Sequence, residues 1–426
     1  MERNDPRYQA YVEILKEELI PAMGCTEPIA LAYAAAKARE VLGVLPDSVQ
    51  LQVSGSIIKN VKSVIVPNTG HLKGMEAAVA AGIIAGSAEK ELEVISEVSE
   101  EKKSAIRDYL QTVPITIEHT EQGHVFDIVV TERCGQDYAR VRIADYHTNI
   151  CRIEKNSTVL YEVPLLDETV QEDARADRSL LNMQDIWDFA ETADLRDVAD
   201  LLERQIRYNN AIAEEGLLGD YGANIGRVLL TTYGNDVSNR AKAKAAAGSD
   251  ARMNGCELPV IINSGSGNQG ITCSVPLIEY AKEMHSGKEK LYRALIISNL
   301  VAIHEKTGIG TLSAYCGAVS AGAGAGAGIV YLCGDGYQAA IHTVVNALAI
   351  VSGIVCDGAK ASCAAKIASS VDAALLGYNM YKCNQEFKGG DGIVMKDIET
   401  TIKGIGRLGK DGMRQTNEEI IRLMMS

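Results

Sequence analysis

Apolar residues recur every three to four positions over 8–20, at Tyr8, Tyr11, Val12, Leu15 and Leu19, and this spacing predicts an amphipathic helix. Pro21 and Gly24 interrupt it, and the alanine-rich stretch 26–42 predicts a second helix. Over 49–67 the pattern turns to alternation, as in Leu51-Gln-Val53 and Ser63-Val-Ile-Val66, which predicts β structure. Residues 75–88 read as a helix of small side chains. From 114 to 163 strand signals dominate: Ile115-Thr-Ile117, Phe126-Asp-Ile-Val-Val130, Ala139-Arg-Val-Arg-Ile143 and Thr158-Val-Leu-Tyr161. An acidic stretch, 167–177, follows, and the pattern then stays mainly helical to Met425. The chain therefore divides into a mixed α/β part with antiparallel-type strands over 1–166, an acidic linker over 167–185 and a larger, mainly α-helical part over 186–426. The fold class is α+β.

The 426 residues include 46% hydrophobic and 23% charged positions, enough to bury a sizeable core. Net charge is −14, so the surface repels phosphate backbones and anionic membranes, and nucleic acid is excluded as the main partner. Residues 308–334 and 336–356 carry no charge and are long enough to span a bilayer. The first is mostly Gly and Ala, including the run Ala321-Gly-Ala-Gly-Ala-Gly-Ala-Gly328, and the second holds Gln338, His342 and Asn346. Neither has an aromatic belt or flanking Lys/Arg clusters, so both read as tightly packed core helices rather than membrane spans. The first 18 residues are charged throughout and form no secretory leader. Ten cysteines without a CxxC pair indicate a reducing, cytoplasmic setting.

Three motifs could carry chemistry. In Met23-Gly24-Cys25-Thr26-Glu27-Pro28, Thr26 is a natural N-cap and Pro28 suits the first turn, which places Cys25 ahead of a helix N-terminus. Backbone N–H groups and the helix dipole there favour a thiolate able to act as base or nucleophile. A buried cysteine acting as a small hydrophobe is the alternative. In Ser264-Gly265-Ser266-Gly267-Asn268-Gln269-Gly270 the glycines satisfy GxGxxG, so a nicotinamide-dependent oxidoreductase has to be weighed. Against that, no clear βαβ unit surrounds the motif, and Pro276 falls where the crossover helix should run. Ser264, Ser266 and Asn268 instead offer polar groups beside free N–H groups, a cradle for a small carboxylate; a structural tight turn explains the spacing equally well.

The third motif is the set Cys316, Cys356 and Cys363. On one straight helix Cys356 and Cys363 would stand ~10.5 Å apart along the axis, but Asp357-Gly358 is a turn signal that can fold the sulfurs together. Three thiolates around a small-residue cavity suit an iron–sulfur cluster with one iron lacking a cysteine. Zinc is disfavoured by the absence of paired CxxC spacing. Three buried structural cysteines fit the spacing as well. His147, polar within the strand region, is a further candidate to face a site.

Taken in order, Pro21-Ala-Met-Gly-Cys-Thr-Glu-Pro28, His147-Thr-Asn-Ile150, Ser249-Asp-Ala-Arg-Met253, Ser264-Gly-Ser-Gly-Asn-Gln-Gly270, Leu312-Ser-Ala-Tyr-Cys316, the stretch from Ile354-Val-Cys356 through Cys363, and Met413-Arg-Gln-Thr-Asn417 resemble the L-cysteine desulfidase family, itself related to the iron–sulfur L-serine dehydratase alpha chain. The resemblance implies a mainly helical catalytic domain of that type and a [4Fe–4S] lyase that converts L-cysteine to hydrogen sulfide, ammonia and pyruvate. It implies Cys316, Cys356 and Cys363 as cluster ligands, Cys25 on the N-terminal domain as catalytic base, and a small amino acid as partner. Six residues between Cys356 and Cys363 favour the desulfidase branch, with L-serine dehydration as the alternative. Whether the chain forms a homo-oligomer stays open.

Overall fold

A computed structural model describes residues 1–120, 124–165, 175–310 and 312–425. The chain opens with α1 (Pro6–Glu18), β1 (Pro21–Met23), α2 (Thr26–Leu42), β2 (Ser48–Ser54), α3 (Gly55–Val61), α4 (Gly74–Ala85) and α5 (Glu100–Thr112). Five strands follow: β3 (Ile115–Thr120), β4 (Asp127–Cys134), β5 (Asp137–Ala144), β6 (Ile150–Lys155) and β7 (Thr158–Glu162). They join β2 in a six-stranded sheet of order β3-β2-β4-β5-β6-β7. The β2–β3 pair is parallel and every other pair antiparallel. Inward residues Leu51, Val53, Ile128, Val130, Val141 and Ile143 are fully buried, and α2 lies against β4 and β5. The α+β class holds.

Two expectations change here. Residues 63–66 form no strand: the chain leaves β2 straight into α3, and only an isolated bridge, Ile65 to Lys73, remains of the alternation. His147 sits in the turn between β5 and β6 rather than in a strand. The first part of the acidic stretch, 167–174, lies outside the described residues; beyond it Arg175 and Arg178 pair with Glu17 and Glu18 of α1 and its end.

The remainder is helical: α6 (Met183–Thr192), α7 (Ala199–Leu218), α8 (Ile225–Tyr233), α9 (Val237–Met253), the short β8 (Pro259–Ile261), α10 (Gly267–Glu283), α11 (Lys288–Ile309), α12 (Gly317–Cys333), α13 (Tyr337–Val351), α14 (Ser362–Lys382), α15 (Ile398–Arg407) and α16 (Arg414–Met425). The Gly/Ala run is α12, which packs against α10, α11, α13 and α14. Glycines four apart share a helix face. Accordingly Gly322 and Gly326 meet Ser370 and Ala374 of α14, while Gly324 and Gly328 meet Ser298 and Ala294 of α11. A Cβ on Gly324 would lie 2.5 Å from the Ser298 carbonyl oxygen. The run is thus the centre of a close-packed bundle. Among the described residues no helix is long and apolar enough to cross a membrane.

One antiparallel pair ties the start of the chain to the helical part. β1 pairs with β8, Pro21 opposite Ile261 and Met23 opposite Pro259. It brings the segment carrying Cys25 beside the segment carrying Ser264.

Candidate active site

Cys25 occupies the N-cap of α2 after Gly24, whose φ of 60° and contact with Pro67 leave no room for a side chain. The thiol is buried and donates to Glu27 Oε2 at 3.0 Å. Glu27 also accepts, through Oε1, from Asn60 Nδ2 at 3.0 Å, and Thr26 Oγ1 lies 3.2 Å from its Oε2. His147 Nε2 stands 3.9 Å from Oε1 and has no hydrogen-bond partner. The expectation of an acidic thiol is overturned. Burial and the adjacent Glu27 charge push Cys25 well above the ordinary cysteine value, outweighing Arg252 and the helix terminus. Burial works against the Glu27 carboxylate too, but His147 and the donated thiol proton hold it below the usual range.

The glycine motif forms a two-residue turn with positive φ at Ser264 (49°) and Gly265 (75°), closed by hydrogen bonds between Asn263 and Ser266. Ser266 then caps α10, and Thr26 Oγ1 donates to Gly265 O at 3.0 Å. The glycines have packing reasons. A Cβ on Gly267 would fall 2.3 Å from Arg252 Nε, and one on Gly270 would fall 1.9 Å from Ile261 O. Contrary to expectation α10 runs through Pro276. The strand before the motif pairs only with β1, antiparallel, so the parallel βαβ frame of a dinucleotide site is absent among the described residues. Ser264 Oγ donates to Asn263 Oδ1 at 2.9 Å, and Asn268 Oδ1 accepts from Arg252 Nη1 at 3.1 Å. Ser266 is half-buried.

Cys316 caps α12, Cys356 lies within the loop between α13 and α14, and Cys363 lies in the first turn of α14. Cys316 N–H donates to Ile354 O at 3.1 Å and Cys356 N–H to Ala314 O at 2.6 Å, which clamps the two loops together. The turn at Asp357-Gly358 forms: Gly358 has φ 96°, and a Cβ there would lie 2.1 Å from Lys59 O. All three cysteines are free. Burial, reinforced by Cys356, pushes the Cys316 thiol up to about 12, and burial raises Cys363 in the same way. Lys59 Nζ reaches Asn417 Oδ1 at 2.7 Å, Cys356 O at 3.3 Å and Ser313 O at 3.4 Å. Lys306 is buried beside the same cysteines.

All the sequence-predicted site residues, Cys25, Ser264, Ser266, Asn268, Cys316, Cys356 and Cys363, line one cavity of about 110 Å³. Glu27, Asn60, Arg252 and Lys306 line it too without having been assigned a role; His147 was a candidate. Among the described residues no three His, Cys, Asp or Glu side chains close on a single-ion site. Thiols that bind separate corners of a cluster stand further apart than those sharing one ion. Three free thiols around a common cavity, with two buried ammonium groups behind them, therefore suit an anionic iron–sulfur cluster better than a lone metal ion.

Residues 89–422 match the family described as serine dehydratase alpha chain. A UPF0597 protein of Desulfitobacterium hafniense is 61% identical over 426 residues, spanning 100% of this chain and 99% of its own length. Another, from Treponema denticola, is 46% identical over 430 residues and covers 100% of both chains. Cys25 and Glu27 precede the matched stretch, whereas His147, Arg252, the Ser264 turn and the three clustered cysteines fall within it. With most of its cavity wall drawn from that stretch, the chain belongs to the serine dehydratase alpha chain family.

Proposed function

We propose that the protein is a [4Fe–4S]-dependent L-cysteine desulfidase, a carbon–sulfur lyase that eliminates hydrogen sulfide from L-cysteine. The observation that carries this proposal is the meeting of a hydrogen-bonded thiol–carboxylate pair, Cys25 and Glu27, with three free cysteines and a polar turn in one small cavity. The N-terminal part, 1–166, contributes the pair, and the helical part, 186–426, the rest. Cys316, Cys356 and Cys363 would hold the cluster, which when bound supplies a Lewis-acidic iron to assist departure of the substrate sulfur.

The chain's own groups account for the proton movement. Cys25 is a neutral thiol, so it acts as base only by giving up its proton as it takes another. Glu27 Oε2, 3.0 Å away, accepts the Cys25 proton while Cys25 takes the Cα proton of the substrate. Loss of HS⁻ then leaves aminoacrylate, and the proton stored on Glu27 leaves with the sulfide. Aminoacrylate tautomerises to the imine, which water hydrolyses to pyruvate and ammonia. Ser266 and Asn268, both on the cavity wall, would orient the substrate.

Anaerobically purified protein supplied with L-cysteine or L-serine tests this. Matched release of pyruvate and sulfide, with cysteine preferred, is expected. Preference for serine would move the enzyme to the dehydratase activity named by the family match. Iron-loaded protein that makes pyruvate from neither would overturn the proposal.

A further inference from the structure

Arg252, on the last turn of α9, is 2% exposed and lines the cavity. Its guanidinium donates from Nη1 to Asn268 Oδ1, a neutral acceptor, and its Nε has no partner at all. Among the described residues no ion pair is formed on its donors; the Glu27 charge acts on it only from beyond hydrogen-bond distance. A buried guanidinium with no carboxylate on its donors is costly, and an anion that enters the cavity can pair with it. The fold makes room for this one: Gly267 is glycine where any side chain would strike Arg252 Nε. His147 Nε2 is a second buried, unpartnered polar atom on the cavity wall.

We infer that Arg252 is the seat of the substrate carboxylate, holding the α-carboxylate of a small amino acid beside Ser266 while the Cα–H faces Cys25. The inference rests on the amino-acid lyase proposed above and adds the group that selects α-amino acids over amines of the same size. Planar, forked donors match a carboxylate in two hydrogen bonds, which a lysine at this position would not reproduce.

L-Alanine, which has no leaving group, and L-alaninamide, which lacks the carboxylate, serve as probes in calorimetry on the full chain purified anaerobically. L-Alanine is expected to bind wild-type protein roughly 10- to 100-fold more tightly than L-alaninamide. Arg252→Gln should lose that preference and Arg252→Lys should recover part of it. Equal binding of L-alanine by Arg252→Gln and wild type would overturn the inference and leave the lyase proposal standing. Wild type that does not distinguish the two probes would overturn it whether or not the variants fold. An Arg252-dependent preference in protein that forms no pyruvate would support the carboxylate seat and overturn the lyase proposal instead.

Discussion

A thiol just ahead of a helix is ordinarily made more acidic by the helix dipole, and Cys25 has that position. Its acidity is nevertheless lowered, because the cavity wall excludes water and the first turn of the same helix brings Glu27 within hydrogen-bond distance. Two opposite effects of Glu27 follow. Glu27→Gln removes the charge that opposes the thiolate, so alkylation of Cys25 in iron-free protein should move to lower pH. The same variant loses the proton acceptor, so turnover should fall about 10²- to 10⁴-fold. Mass-spectrometric mapping of Cys25 alkylation against pH, run beside a pyruvate assay, checks both; unchanged turnover would remove Glu27 from the proton path. At this scale the cysteines were legible because a thiol's chemistry is written in its residue type. Arg252 was visible only as a member of the Ser249–Met253 motif, without a role, because nothing in its residue type shows that the packing of α9 against α10 buries it beside the cavity.

Among elements, α12 decides where Cys316 stands, since Cys316 is its cap and the helix is gripped on two sides through its glycines. Gly→Ala in an exposed helix ordinarily stabilises by about 1 kcal/mol. At Gly324 the new methyl would press on the Ser298 carbonyl oxygen of α11, a backbone atom that cannot swing aside. Gly324→Ala should therefore destabilise by about 1–3 kcal/mol and lower iron content by displacing α12. Gly353→Ala, with nothing within 4 Å of its Cβ, should do neither. Thermal melting and iron analysis of the two variants decide the point. Helix α2 matches the expected 26–42 because its alanines are buried nearly all round, and β3, β4, β5 and β7 fall on the segments read as strand, while β6 was not singled out. Helix α5 escapes notice because it buries only Ile106 and Tyr109. Residues 63–66 mislead because apolar residues in a tight connection mimic a strand. Pro276 misleads because α10, buried along most of its length, is held together by its neighbours in spite of the missing N–H.

Over the whole molecule, charge buried away from solvent links folding to what is bound and to pH. Lys59 and Lys306 repel one another behind the cysteines, and burial pulls Lys306 down to about 8. An anionic cluster would offset both. Anaerobic removal of iron should then lower the melting temperature, and Lys306→Met should raise that of the iron-free chain while reducing the iron it retains. The buried carboxylates act in the opposite sense to a surface ion pair. Glu132 and Glu305 have no hydrogen-bond partner, and burial pushes both well above the ordinary carboxyl value. Each binds its proton more tightly folded than unfolded, so the stability it gives is complete below the unfolded value near 4.5 and is lost as pH rises toward the folded one. Glu132→Gln and Glu305→Gln keep the neutral shape without that dependence. Their melting temperatures should match wild type near pH 4 and exceed it at pH 8; equal melting at both pH values would show that these carboxylates acquire a counter-charge or water in the folded protein.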